Sequence, residues 1–202
     1  MLDQLVFATT NEDKIREARE ILGIEVESAD IPLTEIQSLD PVEVAYHKAL
    51  YAFSKVGAPV IVEDTSLVFR TWKELPGVYI DAFMQTVGNE GLLKMLAGCV
   101  DEDRDVDRSA LARVTIGLCI DRKNCHTFTG QIAGNIAPEP RGENGFGWDS
   151  IFIPKGEERT FAEMTADEKN AISHRRRAFE ALAQFLAAHN FPAHPLAGPV
   201  RK

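Results

Sequence analysis

Residues 5–22, LVFATTNEDKIREAREIL, decide the fold. Leu5-Val-Phe-Ala8 is a short apolar run that reads as a buried strand. It opens into the polar cluster Thr9-Thr-Asn-Glu-Asp13, and a helix follows from Lys14. Ile15, Ala18, Ile21 and Leu22 share one helical face, and Gly23 is placed to end it. Strand, polar loop and helix in that order point to the α/β class.

The order recurs downstream. Asp40-Pro-Val-Glu43 reads as a helix start, with Asp40 capping, Pro41 at the first position and Glu43 reaching back to the cap. Pro59-Val-Ile-Val62 then reads as a buried strand that delivers Glu63, Asp64 and Thr65 at its C-terminal end, the edge where open α/β sheets bind ligands. A third helix is expected from Glu90 to Ala97, stopping at Gly98. Val114, Ile116, Leu118 and Ile120 alternate as in a strand with one buried face. Asp121 to Asn124 form a turn, and Phe128, Gly130 and Ile132 lie on the return strand. That hairpin makes the sheet mixed.

Beyond the Gly- and Pro-rich loop from Pro138 to Asp149, Ile151-Phe-Ile153 reads as another strand. Thr165 and Glu168 form a capping box, and Ser173 caps a last helix that buries Ala178, Leu182, Phe185 and Leu186. There is no internal repeat and no linker. Residues 1–190 are read as a single domain, and the Pro-rich stretch 191–202 as a flexible C-terminal tail.

With 202 residues, 45% apolar and 26% charged, the chain is long enough for a proper core and too ordinary in composition for disorder or coiled coil. Its 22 Lys and Arg face 31 Asp and Glu, a net charge of -9, which opposes general nucleic-acid binding. An anionic small molecule is still accessible to it if the few cations converge. The start of the chain lacks a signal-peptide pattern, and no apolar run approaches the ~18 residues of a membrane span. A cytoplasmic location is expected, with Cys99, Cys119 and Cys125 as unpaired thiols in a reducing compartment.

The phosphate loop GxxxxGK[ST], the dinucleotide GxGxxG, HExxH and GxSxG are all missing. Three clusters carry chemistry instead. Thr9, Asn11 and Lys14 sit where a loop enters a helix, a place that either caps the helix or holds an anion. Glu35, Glu63 and Asp64 supply hard oxygen donors of the kind Mg²⁺ takes, or are turn acids. Gly145-Phe-Gly-Trp-Asp149, with Lys169, Ser173, His174 and Arg175, offers aromatic faces and donors, or packs as core. The glycines at 142, 145 and 147 read as a turn rather than a phosphate cradle.

Taken together, ATTNEDKIREAREIL, VEDTSLVF with LPGVYI, and GENGFGWDSIFIPKGEERTFAEMTADEKNAISHRRRAF resemble the inosine triphosphate pyrophosphatase family. The likeness runs from about Val6 to Phe185, with the blocks in order. It implies a two-lobed fold with a long central mixed sheet, helices around it and a cleft between the lobes, in a homodimer. It also implies Mg²⁺-dependent hydrolysis of ITP, dITP and XTP to the monophosphate and pyrophosphate, which removes deaminated purine nucleotides from the precursor pool.

Position by position, the resemblance assigns Thr9, Asn11, Lys14 and Lys48 to the triphosphate. Asp64 becomes the catalytic aspartate, which either holds the metal or activates the water, followed by Thr65 in the substrate site, and Glu35 becomes the metal-linked glutamate. Phe146, Trp148 and Asp149 form the base-binding segment, and Lys169, His174 and Arg175 close on the purine. One departure stands out. Asp81 and Ala82 occupy positions where the family commonly carries a basic residue, and an acid ~4 Å from a phosphate repels it by on the order of 1–4 kcal/mol. Either Asp81 points away or another cation, Arg70 or Lys73, takes the role. Ser66 and Trp72 also stand where glycines are frequent. Competing readings are a Maf-like pyrophosphatase of other base preference, a catalytically silent nucleotide binder, and RNA binding through Arg175 to Arg177, which the net charge opposes.

Overall fold

Local signals start and stop the helices. In a computed structural model describing residues 4–100, 105–189 and 191, α1 (Glu12–Leu22) begins two residues before Lys14 because the Asn11 side chain accepts from Lys14 N at 3.1 Å. Gly23, at φ 64°, ends it. α2 (Pro41–Val56) starts on the Asp40 cap and ends on Gly57. Glu43 does not reach back to that cap. It accepts from the Ser38 hydroxyl, whose oxygen in turn takes the Asp40 amide.

The sheet has seven strands: β1 (Gln4–Phe7), β2 (Glu25–Ser28), β3 (Val60–Phe69), β4 (Pro76–Gly77), β5 (Ser109–Asp121), β6 (Asn124–Ile136) and β7 (Phe152–Pro154). Their order is β2-β1-β3-β5-β6-β7, with β4 pairing β3. β1 runs parallel to β2 and β3, while β3–β4 and β6–β7 are antiparallel, so the sheet is mixed as expected. The remaining helices are α3 (Ile80–Thr86), α4 (Gly88–Ala97), α5 (Ala166–Ile172) and α6 (His174–Ala188).

The chain divides into two compact units. One comprises Met1–Asp64, Val114–Gly130 and Arg176–Lys202; the other comprises Thr65–Arg113 and Gln131–Arg175. In the first, Leu5, Phe7, Ile61, Val114, Ile116, Leu118 and Ile120 pack with Ile15 and Ala18 of α1 and with Ala178, Phe179 and Leu182 of α6. Val6, Val60, Val62 and Cys119 turn the other way, onto Ala49, Ala52 and Val56 of α2. β5 is therefore buried on both faces along this stretch, not on one. Gly117 is the reason: a Cβ there would stand 2.4 Å from the Ala45 carbonyl oxygen, so only glycine lets α2 lie this close. The second unit packs Leu67, Phe69, Leu92, Leu96, Ala110, Ala112, Ile132 and Ile136 with Trp148, Phe152 and Phe161.

Other expectations need adjustment. α4 begins at Gly88, and α3 and β2 lie where no element is read from the sequence. Ile151 closes a short 3₁₀ turn, and the strand after it is Phe152–Pro154. Cys119 and Cys125 are not free thiols but a disulfide, leaving Cys99 free among the described residues. Cross-strand register explains the pair: the Thr115 and Thr129 hydroxyls meet at 3.1 Å, and the cysteines lie four residues further along each strand toward the turn. Phe191 stacks on His189 and lies beside Phe185, and the rest of the tail lies outside the described residues, as do 101–104 of the charge run.

Candidate functional site

In the first unit the site is a consequence of strand alternation. The β1 ladder closes at Phe7↔Ile61, with Ala8 N donating to the Ile61 carbonyl, so β3 carries its acids just past the point where β1 stops. They stand in mid-strand, not at its end, since β3 continues to Phe69. Odd positions follow Ile61 toward α1 and even positions follow Val62 toward α2. Glu63 accordingly meets Lys14 of α1 at 2.9 Å, and Asp64 faces Lys48 of α2 at 3.7 Å.

Lys48 ties the cluster together. Its ammonium donates to Glu35, which arrives from the loop before α2, and to the Glu63 carbonyl oxygen at 3.1 Å. Thr9 and Asn11 shape the entry to α1: the Thr9 hydroxyl takes the Asn11 amide at 3.2 Å, and Asn11 caps the helix. Thr9, Asn11, Lys14, Glu35, Lys48 and Asp64 thus share one unit. Glu63, grouped in the sequence with Glu35 and Asp64 as an oxygen donor but given no place by the resemblance, joins them through Lys14. Its signal was the strand period, which puts a second acid on the α1 face.

Asp64 is the least satisfied member. It is buried, and its Oδ2 has no hydrogen-bond partner. Burial pushes its carboxyl up to about 6; the Lys48 ammonium pulls down, and the Glu35 and Glu63 carboxylates add to the rise. Among the described residues no group of three His, Cys, Asp or Glu is arranged to hold a metal ion. An orphaned carboxylate oxygen beside two further acids does fit Mg²⁺, which takes one or two carboxylates and fills its shell with water and phosphate oxygens.

The second unit holds the aromatic cluster. Gly145 and Gly147, at φ 73° and 60°, bend the chain on either side of Phe146. They leave its side chain 48% exposed, while Trp148 turns into the core against Phe152, Phe161 and His174. A Cβ on Gly145 would stand 2.2 Å from Asp149 Oδ2, the oxygen that accepts from the Phe146 amide at 2.9 Å and from Lys169 at 2.5 Å. Lys169 lies over the Phe146 ring, 4.9 Å from its centre, and the Arg175 guanidinium is 5.7 Å from the same ring. His174 is buried, stacked on Phe161. Phe146, Trp148, Asp149, Lys169, His174 and Arg175 therefore come together, with Phe146 as the exposed ring. Thr65 follows Asp64 along β3 and is half-buried. Asp81 lies on the exposed first turn of α3 and accepts from Gln85 at 2.6 Å.

The Ham1 family model matches residues 5–185. A dITP/XTP pyrophosphatase from Methanopyrus kandleri is 44% identical over 185 residues, covering 90% of this chain and 95% of the relative. An inosine triphosphate pyrophosphatase from Yarrowia lipolytica is 46% identical over 187 residues, 91% and 95% of the two chains. The solved structure of a HAM1 protein from Coxiella burnetii superposes with a TM-score of 0.82 at 32% identity, covering 94% of this chain and all of that one. Among the described residues no helix is long and apolar enough to cross a membrane.

Proposed function

Because the chain belongs to the Ham1 family, we propose that it is a nucleoside triphosphate pyrophosphatase that hydrolyses ITP, dITP and XTP to the monophosphate and pyrophosphate. The observation that carries the reading is Asp64, a buried carboxylate with one oxygen left over and two lysines in the surrounding cluster.

In the reaction a water oxygen attacks the α-phosphorus, the bond to the bridging oxygen breaks, and pyrophosphate leaves with the electron pair. Asp64 takes the proton of that water, and a carboxyl near 6 is well matched to the task at neutral pH. Lys14 and Lys48 exchange their carboxylate partners for phosphate oxygens and hold the chain in line, with Thr9, Asn11 and the first amides of α1 around it. Glu35 would hold Mg²⁺, which would supply charge neutralisation on the departing pyrophosphate, and Asp64 would be its second ligand in the alternative where it does not serve as the base. Thr65 lines the same substrate.

Base recognition falls to the second unit. Phe146 offers its ring for stacking, and Trp148 and Asp149 fix the segment that presents it. Lys169, His174 and Arg175 supply donors for the 6-oxo group of hypoxanthine and xanthine, which adenine lacks; a mismatched amino group there leaves polar atoms unpaired. We read the protein as a cytoplasmic homodimer with no nucleic-acid partner, and sedimentation measures its oligomeric state directly.

The test is pyrophosphate release from ITP, XTP, GTP, ATP and dTTP, with and without Mg²⁺, for the wild type and Asp64→Asn. Metal-dependent turnover of ITP and XTP that the variant loses is the expected result. Preference for dTTP would overturn the substrate, and binding of ITP without turnover would overturn the enzyme.

A further inference from the structure

A cavity of about 260 Å³ is lined by Val68, Arg70, Lys73, Glu74, Leu111 and Arg113, all in the second unit and none a member of either cluster. Strand alternation explains its place. Leu67, Phe69, Ala110 and Ala112 point into the core, so Val68, Leu111 and Arg113 belong to the opposite face of the sheet. Three cations against one acid line this small space in a chain whose net charge is -9. Among the described residues no ion pair within 4 Å neutralises Arg70, Lys73 or Arg113. Among the described residues Asp107 also interacts with Arg70.

The backbone adds an independent observation. Lys73 has φ 62° and ψ -98°, and among the described residues it alone has a positive φ without being glycine. Glycine would serve that turn at less strain, and the residue that stands there instead brings a cation to the cavity.

We propose that this cavity is a second anion site that takes a small phosphate-type polyanion, with inorganic pyrophosphate as the matching size and charge. The volume lies below the range of drug-sized pockets and suits a small polyanion better than a whole nucleotide. Two guanidinium groups suit paired phosphate oxygens, and Lys73 adds a point charge. Arg70 and Lys73, the cations considered for the family's missing basic residue, line this cavity, and the reaction proposed above uses none of the lining residues, so the site stands or falls separately from it.

The test is a titration of the full ¹⁵N-labelled chain with pyrophosphate, phosphate and sulfate at about 0.15 M salt, where loose surface attraction is screened. Saturable shifts are expected at the amides of Arg70, Lys73 and Arg113, with phosphate weaker than pyrophosphate. Lys73→Gly and Arg113→Gln should each weaken pyrophosphate at these amides by about tenfold, while shifts at Asn11 and Lys14 stay as in the wild type. Lys73→Gly should also unfold at the same temperature as the wild type or higher, which separates lost binding from lost folding and keeps the test decisive if Arg113→Gln fails to fold.

Shifts confined to Asn11, Lys14 and Lys48 would overturn the proposal. So would equal affinity for sulfate, unchanged binding in Lys73→Gly, or an Arg113→Gln variant that alters sedimentation but not pyrophosphate affinity, which would assign the face to a second copy of the chain.

Discussion

Asp64 and Asp149 are both buried aspartates that face a lysine, one in each unit, and their surroundings differ in one respect. Asp149 is anchored: its Oδ2 accepts from Lys169 at 2.5 Å and from the Phe146 amide at 2.9 Å. Asp64 stands 3.7 Å from Lys48 and keeps an oxygen with no partner. A buried carboxylate with its hydrogen bonds made holds a loop in shape. One left short of them is a carboxylate still available for water, metal or proton. The same residue type thus builds in one place and is held ready to react in the other.

The largest expected difference between them is in rate. Asp64→Asn should lower ITP turnover by roughly 10²–10⁴, the span of a lost general base, measured as pyrophosphate release. Next comes stability. Asp149→Ala leaves Lys169 buried without its partner and should destabilise the fold by about 3–5 kcal/mol in urea unfolding. If Asp149→Ala proves stable but inactive, the contrast between the two aspartates is wrong.

The pH dependence sharpens the same contrast. Folded Asp64 holds its proton up to about 6, whereas the unfolded chain releases it near 3.8, so the unfolded state binds fewer protons between those values. Stability contributed by this group is therefore present at low pH and falls as pH rises from about 4 to about 6. Relative to the wild type, Asp64→Asn should gain about 3 kcal/mol over that window and stay ahead above it. Urea unfolding of both proteins across the window reads this directly. The smallest effect is at the exposed ring: Phe146→Ala should weaken ITP by about 1–3 kcal/mol through KM and leave thermal stability close to the wild type, because the side chain is half exposed.

Much of this was legible one window at a time. Asn11, Asp40 and Thr165 cap helices where their residue types and spacing say so, and Gly23 and Gly57 end them at positive φ. Alternation separates Glu63 and Asp64 onto two faces only once β3 is known to run through both of them. The resemblance over residues 6–185 brought the family, and the comparisons bear it out.

What the sequence by itself determined is this local grammar and the family: short-range signals act within a turn or two of helix, or on alternate residues of a strand, so they can be read without knowing what lies opposite. Tertiary structure alone decided the rest. It continued β3 through Glu63 and Asp64 to Phe69, buried both faces of β5 under α2 at Gly117, joined Cys119 to Cys125, and sent Trp148 inward while leaving Phe146 out. Each of these depends on a neighbour remote in sequence, and so does the unpaired oxygen of Asp64, because desolvation is a property of everything packed around a group and not of the residue that carries it.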